Sequence, residues 1–376
     1  MWLLNLIYYV VPFVILLSIL VFVHEFGHFI VARAVGVKVS AFSIGFGKTL
    51  WSKEDKKGTV WKISAIPLGG YCQFLGDGDA SSSSTDGLED LSEEDKKHAF
   101  AFQNPFKKLA IVLAGPGFNY LFAILIYFAL FAMFGRFTMP PVVSEVMDGG
   151  AAQSAGILAG DRITMINGHE IKEWSDISKE VLLAADHKVS LDLLRNGEKH
   201  HYDIELIEMD KKMRNQSTQK QYMLGVKSGG ALELSHEKFP LPQAFAQACK
   251  EVWDVTAMTL RGVGQMFAGT RGSEDVGGVI RIAEMTGDIT KNETILDFVS
   301  FLALLSINLG LINLFPIPVL DGGHVVIFVL EILTGHEIKE KTKEYLFKIG
   351  FLILVALMLF ATFNDIVHLV NRLFQP

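Results

Sequence analysis

Long apolar runs alternate with polar stretches along this chain, and the length of each run predicts its role. Four runs, residues 7–31, 109–134, 298–320 and 346–370, approach or exceed the roughly 20 helical residues that cross a hydrocarbon core. They predict four transmembrane helices. Between the first two, a β-like run over 60–66 is followed by Pro67, Gly69 and Gly70 and a second apolar segment, which predicts a β-hairpin. Residues 135–296 are too long and too polar for a connector and predict a folded domain. Within it, β-like runs over 142–146, 162–166, 189–194 and 202–206 are separated by glycine turns and one helix-like stretch near 177–185, the pattern of a small mixed α/β domain. From 243 to 267, Phe245, Cys249, Val252, Leu260, Val263 and Phe267 recur at helical intervals, with Lys250, Glu251 and Asp254 elsewhere on the wheel. That helix either lies on a membrane surface or packs on the preceding domain. Residues 76–97 hold Ser81 to Ser84 and a dense acidic run and read as a flexible, solvated insertion.

Composition agrees with the runs: 50% of the 376 residues are hydrophobic, 28 are Phe, and only 20% are charged. The net charge of −7 has no concentrated basic face, which argues against a nucleic-acid partner. Lysine and arginine also set an orientation, because they stay preferentially on the cytoplasmic side of short loops. The loop between the third and fourth runs carries Lys339, Lys341 and Lys343, with Lys348 nearby, against Arg372 alone beyond the fourth. Residues 32–108 hold Arg33, Lys38, Lys48, Lys53, Lys56, Lys57, Lys62, Lys107 and Lys108. Both segments are therefore expected in the cytoplasm, and both termini outside. The first run lacks a basic leader and a small-residue cleavage site, so it is read as a retained span. Cys72 and Cys249 fall on opposite sides in this topology and are expected as free thiols.

The first span contains His24-Glu25-Phe26-Gly27-His28. On a helix, residues four apart differ by roughly 40° about the axis, so both imidazoles face one metal and Glu25 lies beside them. Ionisable groups inside an apolar run persist mainly when paired, metal-bound or facing a watery cavity. A hydrolytic zinc usually takes three protein ligands and leaves a position for water. The third run ends with a matching carboxylate in Asn313-Leu314-Phe315-Pro316-Ile317-Pro318-Val319-Leu320-Asp321-Gly322-Gly323. The lysine-derived topology brings His24 and Asp321 to the same depth, so His24, His28 and Asp321 are candidate ligands and Glu25 the candidate base. Asn308 and Asn313, five residues apart in the third run, either contact a substrate backbone or oxyanion or bond between helices.

Taken together, these residues resemble the site-2 protease family of intramembrane zinc metalloproteases, in particular its bacterial branch containing the regulator-of-sigma-E protease. Gly45-Phe46-Gly47 resembles the family's re-entrant segment, Pro67-Leu68-Gly69-Gly70-Tyr71 its substrate-contacting hairpin, and Gly115-Pro116-Gly117-Phe118-Asn119 its G-P-x-x-N element. Residues 141–208 look like a PDZ domain. The resemblance implies a polytopic α-helical membrane protein with four transmembrane helices, a cytoplasmic membrane-associated β-hairpin and a periplasmic PDZ-like mixed α/β domain. Its implied parts are an N-terminal membrane half (1–135, with a re-entrant β segment over 37–75), a PDZ domain (140–230), an amphipathic-helix segment (236–292) and a C-terminal membrane half (296–376). It further implies one catalytic zinc on His24, His28 and Asp321, Glu25 as base, Asn313 as a catalytic or substrate contact, and Asn308, Gly69, Gly70 and Tyr71 as substrate contacts.

By the same resemblance the location is a bacterial inner membrane. The substrates are single-span membrane proteins, such as an anti-sigma factor in the second cut of regulated intramembrane proteolysis, or signal-peptide remnants. Two departures stand out: the outer segment has room for one PDZ domain where the branch often has two, and Val279 stands where relatives tend to have proline. The rival classes are a metal transporter and an inactive membrane-protein binder. The first has no use for a substrate hairpin, and the intact Glu25 argues against the second.

Overall fold

The structure is a computed structural model describing residues 2–76, 91–184, 187–212, 218–229, 235–269 and 277–374. Most of the acidic insertion lies outside the described residues. The first half of the chain runs α1 (Trp2–Ala34), β1 (Val39–Glu54), β2 (Val60–Phe74), the single turn α2 (Glu93–Lys96) and α3 (Pro105–Phe134). Next come β3 (Arg136–Thr138), β4 (Glu145–Val146), α4 (Ala151–Ser154), β5 (Arg162–Ile166), β6 (His169–Glu170), α5 (Trp174–Leu182), β7 (Lys188–Arg195) and β8 (Glu198–Glu205). They are followed by β9 (Ile207–Lys212), β10 (Thr218–Met223), β11 (Val226–Lys227), β12 (Ser235–Glu237) and α6 (Leu241–Phe267). The chain closes with α7 (Val279–Asn292), α8 (Ile295–Asn313), α9 (Asp321–Thr334) and α10 (Glu340–Phe374). Two compact units emerge, Met1–Tyr127 with Glu274–Pro376, and Phe128–Ser273.

Among the described residues, four helices are long and apolar enough to cross a membrane, over residues 7–34, 105–134, 295–313 and 341–370. The third differs from the expected run. The helix stops at Asn313, and a new one starts at Asp321. Pro316 and Pro318 cause the break, since each lacks an N–H and biases the residue before it away from helical geometry. Val319 in this turn has φ +96°, a region costly for a β-branched side chain. The turn is held from two sides: a Cβ on Gly322 would lie 2.2 Å from the Phe315 carbonyl oxygen, and one on Gly350 of α10 only 2.0 Å from that of Pro318.

Helix α7 packs along α1, where the Tyr9 hydroxyl donates to Asp288 at 2.9 Å. Its first amides are capped by the buried Asp365 of α10, which accepts from the N–H groups of Gly278 (2.8 Å), Ile280 (3.0 Å) and Arg281 (3.1 Å). Val279 therefore occupies the first helical position, where proline is favoured but not required.

The β segment is more folded than a simple hairpin. Ile44 pairs with both Ile63 and Gly70, so 41–44 lies between 60–63 and 70–74, and 49–54 pairs on the far side of 60–64. The two limbs of the expected hairpin thus flank a third segment instead of pairing with each other. Arg33, at the end of α1, ties this sheet to the helix by donating to Asp55 (2.5 Å) and Thr59 (2.8 Å).

The second unit is built on a sheet of order β6-β5-β7-β8, with pairs β4–β11, β9–β10 and β3–β12. Its turns are written in Asn-Gly pairs: Asn167-Gly168 (φ 51° and 78°) joins β5 to β6, and Asn196-Gly197 (φ 52° and 86°) joins β7 to β8. Ile163, Ile166, Val189, Leu191 and Leu193 alternate into a core closed by Ile177 of α5. Arg195 grips the buried Asp161 through two hydrogen bonds of 2.7 and 2.6 Å. The α6 stripe is divided: Ala244, Ala248 and Val252 are buried, while Phe245, Trp253, Leu260 and Phe267 are exposed. Cys72 and Cys249 are both free thiols.

Candidate metal centre

Helical spacing on α1 stacks His24 over His28, and both rings are buried. Asp321 enters from the start of α9, a position where a carboxylate is favoured by the helix dipole. His24 Nε2 lies 3.1 Å from Asp321 Oδ2, His28 Nε2 3.5 Å from Asp321 Oδ1, and the two Nε2 atoms 3.3 Å apart. One ligand atom from each of the three residues lies within 4.8 Å of the others.

The rear of each ring is also engaged. His28 Nδ1 is 2.9 Å from the Ile111 carbonyl oxygen, which can only accept, so the proton sits on Nδ1 and the Nε2 lone pair faces the cluster. His24 Nδ1 meets the side-chain amide of Asn119 at 3.1 Å. Helix α3 comes this close because glycines face α1. A Cβ on Gly115 would sit 2.2 Å from His28 Nε2, and one on Gly27 would sit 2.4 Å from the Ala114 carbonyl oxygen.

Two imidazoles and one carboxylate converging on one point are a donor set that suits zinc. The three donor atoms lie within 4.8 Å of one another in a buried site, and the absence of a side chain at Gly115 is what lets the His28 ring sit there. The residues therefore fit a divalent metal.

Glu25 is half-buried next to His24. A Cβ on Gly70 would lie 3.5 Å from Glu25 Cγ and 2.9 Å from a Val21 methyl, so β2 runs directly against α1 at the proposed base. Gly69, at φ +139°, lies under the Phe46 ring, which also stacks with Tyr71 at 6.2 Å. Asn313 closes α8, and Asn308 lies five residues before it. Sequence reasoning missed Gly115, Asn119 and the Ile111 carbonyl as parts of this site. The G-P-x-x-N element contains the first two, but spacing along α3 does not say which residue of α1 they meet.

Comparison with known proteins bears on the same residues. Residues 12–357 match the model of Peptidase family M50. A protein of Agrobacterium fabrum named "Putative zinc metalloprotease" is 36% identical over 367 residues, covering 96% of this chain and 97% of the relative. A like-named protein of Rickettsia conorii is 37% identical over 362 residues, covering 96% and 99%. One from Campylobacter jejuni is 35% identical over 363 residues, covering 96% and 93%.

Proposed function

The chain belongs to peptidase family M50 and is a membrane zinc metalloendopeptidase, and from that premise we propose that it hydrolyses peptide bonds within the transmembrane segments of single-span membrane proteins. One placement carries this reading: a three-residue metal cluster inside apolar helices, with a β segment passing beside Glu25.

His24, His28 and Asp321 hold the zinc, which when bound supplies a Lewis acid and lowers the pKa of water to about 7. Glu25 takes the proton of the attacking water and returns it to the departing amine. Segment 70–74 pairs with 39–44 and passes beside Glu25, and an unwound substrate adds as a strand at this edge of the sheet. Gly69, Gly70 and Tyr71 line that edge. Asn313, and beside it Asn308, donate to the substrate backbone or to the developing oxyanion.

In this reading the protein lies in a bacterial inner membrane with both termini periplasmic and the metal towards the cytoplasm. The second unit is a periplasmic PDZ domain followed by a helix whose exposed Phe245, Trp253, Leu260 and Phe267 meet lipid. The cut is the second in regulated intramembrane proteolysis of an anti-sigma factor, or the clearance of signal-peptide remnants.

Metal content measured beside cleavage tests the assignments. Wild-type protein and Glu25→Gln should carry one zinc, and His28→Ala and Asp321→Ala should not. All three variants should cleave at least about 100-fold more slowly. Full zinc occupancy in His28→Ala would remove it from the ligand set, and wild-type cleavage by Glu25→Gln would remove the base.

A further inference from the structure

Metal binding through Nε2 requires each histidine to carry its proton on Nδ1. For His28 the Ile111 carbonyl settles this, because it can accept and never donate. For His24 the partner is Asn119, whose side chain offers an acceptor at one end and a donor at the other. Asn119 is wholly buried in α3, and its backbone carbonyl accepts the Ser306 hydroxyl from α8 at 2.8 Å. Its amide nitrogen faces His24 Nδ1 at 3.1 Å, while its amide oxygen is buried without a hydrogen-bond partner. An amide nitrogen donating to Nδ1 requires the ring proton on Nε2, 3.1 Å from Asp321 Oδ2. That tautomer has no lone pair on Nε2, the atom that faces the cluster. A half-turn of the amide brings the unpartnered oxygen to Nδ1, where it accepts the ring proton and frees Nε2.

We propose that Asn119 is a positioning residue: with metal bound, its amide oxygen accepts from His24 Nδ1–H and holds the ring in its ligating tautomer. This rests on the reading that His24 binds the metal through Nε2. An acceptor at position 119 is thus what metal affinity requires, and the donor end is dispensable.

The test is the zinc dissociation constant of the full-length, detergent-solubilised chain, measured by competition with a chromophoric chelator, together with the visible spectrum of the cobalt-substituted protein. Asn119→Asp keeps an acceptor and should bind zinc within about threefold of wild type, with an unchanged cobalt spectrum. Asn119→Leu keeps similar volume without an acceptor and should bind about 10- to 100-fold more weakly, with a shifted spectrum. Thermal denaturation of the metal-free chain screens each variant for folding, and Asn119→Ala replaces the leucine variant should that one not fold. Wild-type affinity in the variant lacking an acceptor, or equal weakening in Asn119→Asp, overturns the proposal. His24→Ala separates the two levels: unchanged affinity there overturns the ligand reading itself, whereas lost affinity there with no effect at position 119 overturns only the role of Asn119.

Discussion

Gly115 marks how little room the metal cluster leaves. A methyl group there would lie 2.2 Å from His28 Nε2, so the ring or α3 must move, whereas Gly117, two residues on, has nothing within 4 Å of a Cβ. Gly115→Ala should therefore weaken zinc binding at least about tenfold by displacing a ligand, while Gly117→Ala leaves it unchanged, both read by equilibrium dialysis. Equal affinities in the two variants would contradict the packing described. Asp55 gives the residue scale a pH dependence. Burial pushes its carboxyl up, but hydrogen bonds from Trp61, the Lys57 amide, Arg33 and the Thr59 amide outweigh this and hold it at about 2. A carboxyl lowered on folding stabilises the fold above its ordinary value near 4, and that contribution disappears as pH falls from about 4 to 2. Wild type should exceed Asp55→Asn by roughly 1–2 kcal/mol at pH 6, with the gap closing by about pH 2; a gap independent of pH would show that Asp55 acts without its charge. The ligand-pair spacing was legible in the sequence, because residues four apart on one helix must share a face. Asn119 and Gly115 were not, since their partners lie on another helix and no periodicity encodes that pairing.

At the scale of elements, the sheet beside α1 is where the structure departs most from the linear pattern. Strand propensity over 60–66 and the Pro-Gly break after it were readable, but the insertion of 41–44 between the two limbs depends on long-range pairing. Gly70 lies at the centre of that arrangement, its missing side chain allowing contact with Ser43 on one side and with Val21 and Glu25 on the other. Gly70→Ala places a methyl group 2.6 Å from the Ser43 carbonyl oxygen and 2.9 Å from a Val21 methyl, so the strand must shift against both β1 and α1. Cleavage should fall at least about tenfold with zinc stoichiometry unchanged, since the edge and not the ligand set is disturbed. Parallel loss of zinc would contradict a substrate role for this edge. The break between α8 and α9 is half legible: Pro316 and Pro318 lack the N–H a helix needs, yet the restart of a helix at Asp321 follows from the glycines that let the turn fold back on itself. The glycine turns of the second unit, two of which are Asn-Gly pairs, were the easiest to read, because the backbone they require selects those residues locally.

For the whole molecule, the proposed orientation puts the lysine- and arginine-rich segment between α1 and α3 in the cytoplasm and residues 135–296 outside. Ser92 and Lys199 are both exposed and lie in these two segments. In intact cells a membrane-impermeant thiol reagent should modify Lys199→Cys at once and Ser92→Cys only after permeabilisation, in a background with Cys72 and Cys249 replaced by serine. The reverse pattern would invert the orientation. Function was legible at this scale because several short motifs agree along nearly the whole chain, whereas substrate identity depends on surfaces that no local pattern specifies. The central claim is that a peptide bond inside the membrane is the one broken. The most direct measurement reconstitutes the protein in vesicles with a single-span substrate and maps the products by mass spectrometry, beside Glu25→Gln and a chelated control. The account predicts new termini within the substrate's apolar span, absent from both controls. Cleavage confined to residues outside the span, or persisting in Glu25→Gln, would contradict it.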